Sequence, residues 1–238
     1  MSGTVLLLGA SSPVARSCAE AFARRGIDLI LAGRDAEELE HLAGDLHLRF
    51  GVEAGACVFD AAGAAPLDLD PEALDGVLCA VGAMGEDPAT LEASASGDIL
   101  RANFEGPVRA LSPFAAAFEA RGEGFIIGLA SVAGDRGRQS NFVYGAAKGG
   151  FALWLQGLRN RLHGSGVRVL TVKPGFIDTA MTYGRPGVFL AADPAWVGER
   201  IVRALEDGRD VVYLPGFWRG IMLLIRCIPE GVFKRLRL

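Results

Sequence analysis

The chain has 238 residues, 50% apolar and 22% charged, which suits one α/β domain spanning 1–238 with a substantial core. Its net charge of −4, without a basic excess, argues against nucleic acid as a partner. Four scattered cysteines with no Cys-x-x-Cys pair and three isolated histidines leave no expected metal site or disulfide framework; with no signal-peptide pattern, the expected compartment is the reducing cytoplasm.

In chain order, an apolar strand at Val5–Leu8 runs into Gly9-Ala10-Ser11-Ser12-Pro13-Val14-Ala15 and a helix over Pro13–Arg25. A strand turning tightly into a helix offers free N–H groups and a positive dipole end, both suited to a pyrophosphate. Ser12 reads as the N-cap and Pro13 as the first helical residue. The second strand, Ile27–Ala32, leads to Gly33-Arg34-Asp35. An NAD enzyme commonly holds a carboxylate here for the ribose 2′-hydroxyl. Arg34 would instead pair with a 2′-phosphate, so NADP(H) is the expected cofactor, and Asp35 reads as the cap of the helix over Ala36–Arg49. The alternative for Arg34 is an ordinary exposed arginine. After the third strand, Ala54–Phe59, Asp60 either accepts from an adenine amino group or serves as a turn aspartate. The acidic stretch from Asp60 to Asp75 reads as a solvated connection.

A fourth strand, Gly76–Val81, precedes a helix over Gly97–Ala120. The fifth, Gly124–Leu129, ends at Ala130-Ser131, and a helix over Asn141–Leu162 carries Tyr144-Gly145-Ala146-Ala147-Lys148. Residues four apart share a helical face. A free tyrosine titrates near 10, and a neighbouring ammonium favours its phenolate, making it a competent acid and base. Ser131, thirteen residues before Tyr144, stands at a strand end where its hydroxyl can donate to a carbonyl oxygen gaining charge. Strands at Val167–Val172 and Asp210–Leu214 flank a helix over Pro194–Glu206. Near-continuous apolar strands alternating with amphipathic helices predict a doubly wound, Rossmann-like parallel sheet of about seven strands, helices on both faces.

The ordered set Gly9, Asn103, Ser131, Tyr144-x-x-x-Lys148 and Pro174-Gly175-Phe176-Ile177-Asp178-Thr179 resembles the short-chain dehydrogenase/reductase family over nearly the whole chain. The resemblance implies that Asn103 holds a water in a proton relay, Ser131 orients the carbonyl, Tyr144 is the general acid/base, and Lys148 tunes it and binds the nicotinamide ribose. It also implies that Pro174-Gly175 walls the nicotinamide, with a backbone N–H from Ile177 and a hydroxyl from Thr179 for its carboxamide. The chain departs from the family at Pro13 and Ala15, which replace glycines. It departs again at Cys79-Ala80-Val81-Gly82, which keeps only the last glycine beside the adenine ribose. The helices over Gly97–Ala120 and Asn141–Leu162 correspond to the family's dimer-forming pair, so a homodimer or homotetramer is expected.

The segment between Thr179 and Asp193 should form a lid, with Met181, Tyr183, Pro186, Val188, Phe189 and Leu190 as its apolar residues. Residues 216–238 read as a basic amphipathic tail, too short in its apolar run to cross a bilayer, which needs about 20 residues. The tail either lies on an anionic membrane, making the protein peripheral, or packs on protein. Ser131-Val132-Ala133-Gly134 and Ser140 to Gly145 resemble bacterial reductases of decaprenylphosphoryl-2-keto-pentoses. The expected reaction is reduction of a ketone by NADPH, on an apolar or polyprenyl-phosphate-linked sugar. The alternatives are a general reductase of fatty acyl or small carbonyl metabolites and a non-catalytic NADP-binding sensor or scaffold.

Overall fold

In a computed structural model, residues 3–63, 65, 67–184 and 187–236 are described. Seven strands are β1 (Thr4–Leu8), β2 (Asp28–Gly33), β3 (Ala54–Val58), β4 (Gly76–Cys79), β5 (Phe125–Leu129), β6 (Arg168–Pro174) and β7 (Val211–Leu214). All pair in parallel in the order β3-β2-β1-β4-β5-β6-β7. β1 shows why its sequence is apolar without alternation. Val5 and Leu7 pack under helices α1 (Pro13–Ala23), α2 (Ala36–Phe50) and α6 (Pro194–Glu206), while Leu6 and Leu8 pack under α4 (Gly106–Arg121) and α5 (Phe142–Leu162). A strand covered on both faces has no polar side. β3 is the edge, and there Gly55, Ala56 and Val58 are exposed.

Two helical features differ from the sequence expectation. The third expected helix begins at Ala93, not Gly97: α3 (Ala93–Leu100) is capped by the Glu92 carboxylate, which accepts from the N–H groups of Ser94 (3.0 Å) and Ala95 (2.6 Å). Glutamate is not among the preferred N-caps, so the start was not marked. Between α3 and α4, Arg101–Glu105 form a π turn. In the stretch Asp60–Asp75, three carboxylates serve the backbone rather than only solvent, Asp60 by accepting from Ala62 N–H. Asp75 accepts from Thr4 N–H at 2.7 Å, and Asp70 caps a short 3₁₀ turn.

The tail folds back onto the domain as α7 (Trp218–Cys227) and α8 (Glu230–Phe233). Trp218 and Met222 are buried against Val132, beside Phe176 and Tyr213. No described helix is long and apolar enough to cross a membrane. Of the residues the sequence reading singles out, Pro186, Arg237 and Leu238 lie outside the described residues.

Candidate active site

At the carboxyl ends of the strands, where the order reverses between β1 and β4, lies a cleft of about 430 Å³. This is the crevice where doubly wound sheets bind ligands. It is lined by Gly9, Ser11, Ser12, Pro13, Val14, Arg34, Asp60, Ala80, Val81, Gly82, Ser131, Tyr144, Lys148, Pro174, Gly175, Ile177 and Thr179. Asn103 stands behind the cleft, fully buried.

The turn after β1 needs glycine for two reasons. Gly9 has φ +78°, and a Cβ there would lie 3.0 Å from Val81 N. Gly9 and Ala10 spend their N–H groups on Ala32 O, at 2.8 and 3.0 Å, and Ser12 spends its own on Gly9 O at 3.0 Å. The N–H groups of Ser11, Val14 and Ala15 find no acceptor among the described residues. Three unpaired donors at a helix start fit an anionic phosphate. Ser12 occupies the N-cap position, but its side chain makes no capping bond, while Pro13 opens the helix as expected. Ala15 does not crowd the cleft; it is fully buried in the core. Arg34 is exposed and makes no ion pair among the described residues, and Asp35 caps α2 by accepting from Glu38 N–H at 3.1 Å. Asp60 closes a local turn, its Oδ1 accepting from Ala62 N–H at 3.0 Å, while also lining the cleft.

At the other end, the buried Lys148 ammonium donates to Val81 O at 3.1 Å and Leu129 O at 3.0 Å. Burial pulls its pKa down to about 8, and the nearby Cys79 only partly offsets this. A primary ammonium has three donors, so one remains for a ligand. Asn103 fixes the adjacent backbone. Its Nδ2 donates to Ala83 O (2.6 Å) and Ile99 O (2.8 Å), and its Oδ1 accepts from Ala83 N–H (3.2 Å). The π turn brings Asn103 to this place, as such turns often do at functional sites. Gly82 passes between the two side chains: a Cβ on it would meet Asn103 Oδ1 at 2.7 Å and Lys148 Nζ at 2.8 Å. This gives a packing reason for the one glycine kept after β4.

Ser131 caps the 3₁₀ turn Val132–Asp135, its Oγ accepting from Ala133 N–H at 3.1 Å. Its hydroxyl proton therefore stays available. Tyr144 is buried and lines the same cleft. Backbone contact sets the spacing between these two. A Cβ on Gly134 would lie 2.5 Å from Gly149 N, and one on Gly145 would lie 2.8 Å from Ala133 O. Only glycine lets α5 approach the serine turn so closely.

The sequence reading named Met181, Phe189 and the tail but missed the contacts that organise them here. Trp218 stands over the Pro174-Gly175 wall: a Cβ on Gly175 would lie 1.9 Å from its Nε1. The lid base is stapled by Asp178 N–H to Ala192 O and Ala192 N–H to Phe176 O, both 2.9 Å. Phe189 of the lid packs on Phe176 and Trp218, with ring centres 5.6 and 5.4 Å away. Behind Ser131, Asp135 receives Lys173 at 2.5 Å and the Tyr213 hydroxyl at 2.8 Å. Met181 and Thr182 complete the cleft mouth. No local pattern marked which face of the tail would dock, so Trp218 gave no signal in sequence.

The model of the short chain dehydrogenase family matches residues 3–186. An uncharacterized oxidoreductase of Mycobacterium tuberculosis is 32% identical, covering 98% of this chain and 96% of its own. Sulfoacetaldehyde reductase 2 of Chromohalobacter salexigens is 32% identical over 90% of this chain and 88% of its own. A short-chain dehydrogenase from Sphingobium yanoikuyae, solved in complex with NADPH, superposes with a TM-score of 0.82 at 26% identity, covering 99% of this chain and 96% of that one.

The buried ammonium makes a prediction of known sign. Lys148 falls from 10.5 to about 8 on folding, so between those values the unfolded chain binds the extra proton. Stability should rise with pH across that window, and the charge penalty should be fully present below about 8. In chemical denaturation at a series of pH values, the wild type minus Lys148→Met difference should move in the wild type's favour from pH 8 to 10.5. A flat difference would show that the ammonium titrates normally.

Proposed function

Because the chain belongs to the short-chain dehydrogenase family of oxidoreductases, we propose that it reduces a ketone to an alcohol with NADPH, Tyr144 serving as general acid/base. The observation that carries this reading is the single cleft in which Ser131, Tyr144 and Lys148 meet the turn after β1. When bound, the dinucleotide supplies the hydride. The unpaired N–H groups of Ser11, Val14 and Ala15 would hold its pyrophosphate, Arg34 the 2′-phosphate, and Asp60 and Ala80–Gly82 the adenosine. Lys148 would take the nicotinamide ribose, and Pro174, Gly175, Ile177 and Thr179 would wall the nicotinamide.

Each side chain then has one task. Ser131 accepts from Ala133 N–H and points its own proton to the substrate carbonyl oxygen, while Tyr144 delivers the proton that completes the alcohol. Lys148 favours the phenolate that Tyr144 becomes. Asn103 has committed its amide to Ala83 and Ile99, so a relay water falls to its backbone carbonyl or the second lone pair of Oδ1. This acid/base set speaks against a non-catalytic sensor, which has no use for it.

The substrate reading is an apolar or polyprenyl-phosphate-linked sugar ketone, as for decaprenylphosphoryl-2-keto-pentose reductases. What supports it is an aromatic cluster of lid and tail: exposed Phe189 and Phe217 both pack on buried Trp218, at 5.4 and 5.7 Å. Leu190 of the lid and Leu223 and Leu224 of the tail are exposed, as are Arg219, Arg226, Lys234 and Arg235. A basic, apolar surface of this kind suits the cytoplasmic face of an anionic membrane. Association of copies through α4 and α5 belongs to the same reading. The relative named sulfoacetaldehyde reductase favours the second reading, a small carbonyl metabolite.

Tyr144→Phe should abolish NADPH oxidation with a panel of ketones, by about 10²-fold or more, and leave NADPH binding nearly unchanged. A mutant as active as its parent would remove the assignment. Arg34→Asp should weaken NADPH far more than NADH in a fluorescence titration; equal weakening of both would refute the 2′-phosphate role.

A further inference from the structure

The turn that carries Ser131 is held from two sides. On one side Gly134 lies against the α5 backbone, where a Cβ would meet Gly149 N at 2.5 Å. On the other, Asp135, the last residue of the turn, reaches the edge of the sheet. Its Oδ1 accepts from Lys173 Nζ at 2.5 Å and its Oδ2 from the Tyr213 hydroxyl at 2.8 Å. Lys173 and Tyr213 are register partners on β6 and β7, so both side chains rise from one face of the sheet. The Asp135 side chain is 3% exposed and that of Lys173 16%, so water and salt screen the pair little. Burial pushes the Tyr213 pKa up to about 12, and the bond to Asp135 adds to this, so its hydroxyl remains a donor. A dry carboxylate with both oxygens occupied, one by a cation and one by a phenol, makes a firm anchor.

Both ends of this anchor reach the cleft through their chain neighbours. Ser131 begins the turn that Asp135 ends: Ser131 Oγ accepts from Ala133 N–H at 3.1 Å, and Ser131 O from Gly134 N–H at 3.1 Å. Lys173 directly precedes Pro174 and Gly175, and Ser131, Pro174 and Gly175 all line the cleft. The ion pair therefore joins the strand that leads into the nicotinamide wall to the turn that carries the serine hydroxyl.

We propose that Asp135, clamped by Lys173 and Tyr213, is a positioning residue that sets where the Ser131 hydroxyl stands relative to the nicotinamide wall. Asp135 lies outside the cleft lining and acts through Ser131. Hydride transfer needs the carbonyl held in one geometry, and a misplacement of about 1 Å can cost about 10²-fold in rate. Neutralising the carboxylate leaves the Lys173 ammonium without its counter-charge, which loosens the turn from the sheet. This inference rests on the reductase reading and deepens it.

The test uses the full chain saturated with NADPH and compares the wild type with Asp135→Asn, Asp135→Glu and Tyr213→Phe. Asparagine keeps the shape and an acceptor for Tyr213 but removes the charge that holds Lys173. Tyr213→Phe removes one bond of the two and carries the test if Asp135→Asn does not fold. The first readout, amide hydrogen exchange, is independent of turnover. Exchange of the Ala133 and Gly134 N–H groups should rise about tenfold or more in Asp135→Asn and less in Tyr213→Phe, with β1 and β4 amides at the wild-type rate. Unchanged exchange in the turn, or an equal rise throughout the sheet, would overturn the proposal. The second readout is steady-state reduction of a ketone. In Asp135→Asn, kcat should fall about tenfold or more, with partial rescue in Asp135→Glu and an unchanged dissociation constant for NADPH. In a Ser131→Ala background the same substitution should change kcat by less than about twofold, because the group it positions is gone. An equal loss in both backgrounds would mark a structural effect and overturn the proposal. Loosened turn amides in a chain that reduces no ketone would uphold the clamp and sink the reductase reading instead.

Discussion

Burying the Lys148 ammonium penalises its charged form, and the strand ends on either side of it answer that penalty with two carbonyls. Val81 O and Leu129 O, which follow β4 and end β5, hold Nζ at 3.1 and 3.0 Å. The same atom therefore measures the gap between the two strands and places a positive charge one helical turn from Tyr144. Asn103 supports this from behind by fixing Ala83, and Gly82 must stay small so that both side chains fit. The chemistry of the site depends on this arrangement more than on any single contact elsewhere.

Close backbone packing does the remaining positioning. Gly134, Gly145 and Gly149 let α5 settle on the serine turn, so that Ser131 and Tyr144 reach one cleft from different elements. On the far side, Trp218 ties the tail to the glycine wall, the lid and Val132 together. A tail that supplies part of the wall can influence the substrate end without touching the nucleotide end. The segment between Thr179 and Asp193 is anchored at its base, and Met181, Tyr183, Phe189 and Leu190 within it are exposed.

The parallel sheet could be read from sequence because β1, β4 and β5 are apolar without alternation, as burial on both faces requires. The serine, tyrosine and lysine were legible because their order and spacing follow the strand–turn–helix logic of the sheet's carboxyl edge. The start of α3 was not, because its cap is a glutamate acting through its side chain. The π turn was not, because the contact it serves, Asn103 with Ala83, spans twenty residues. Nor was Trp218, whose surroundings depend on how the tail returns to the domain, which no local pattern encodes. Ala15, which stands where the family has a glycine, turns its methyl group into the core.

The most direct test of the central claim follows the hydrogen itself. NADPH carrying deuterium on the transferring face of C4 is incubated with the enzyme and a ketone that it reduces, and the product is analysed by mass spectrometry and NMR. The account predicts an alcohol with one deuterium on the former carbonyl carbon. NADPH consumed without that labelled alcohol would contradict it.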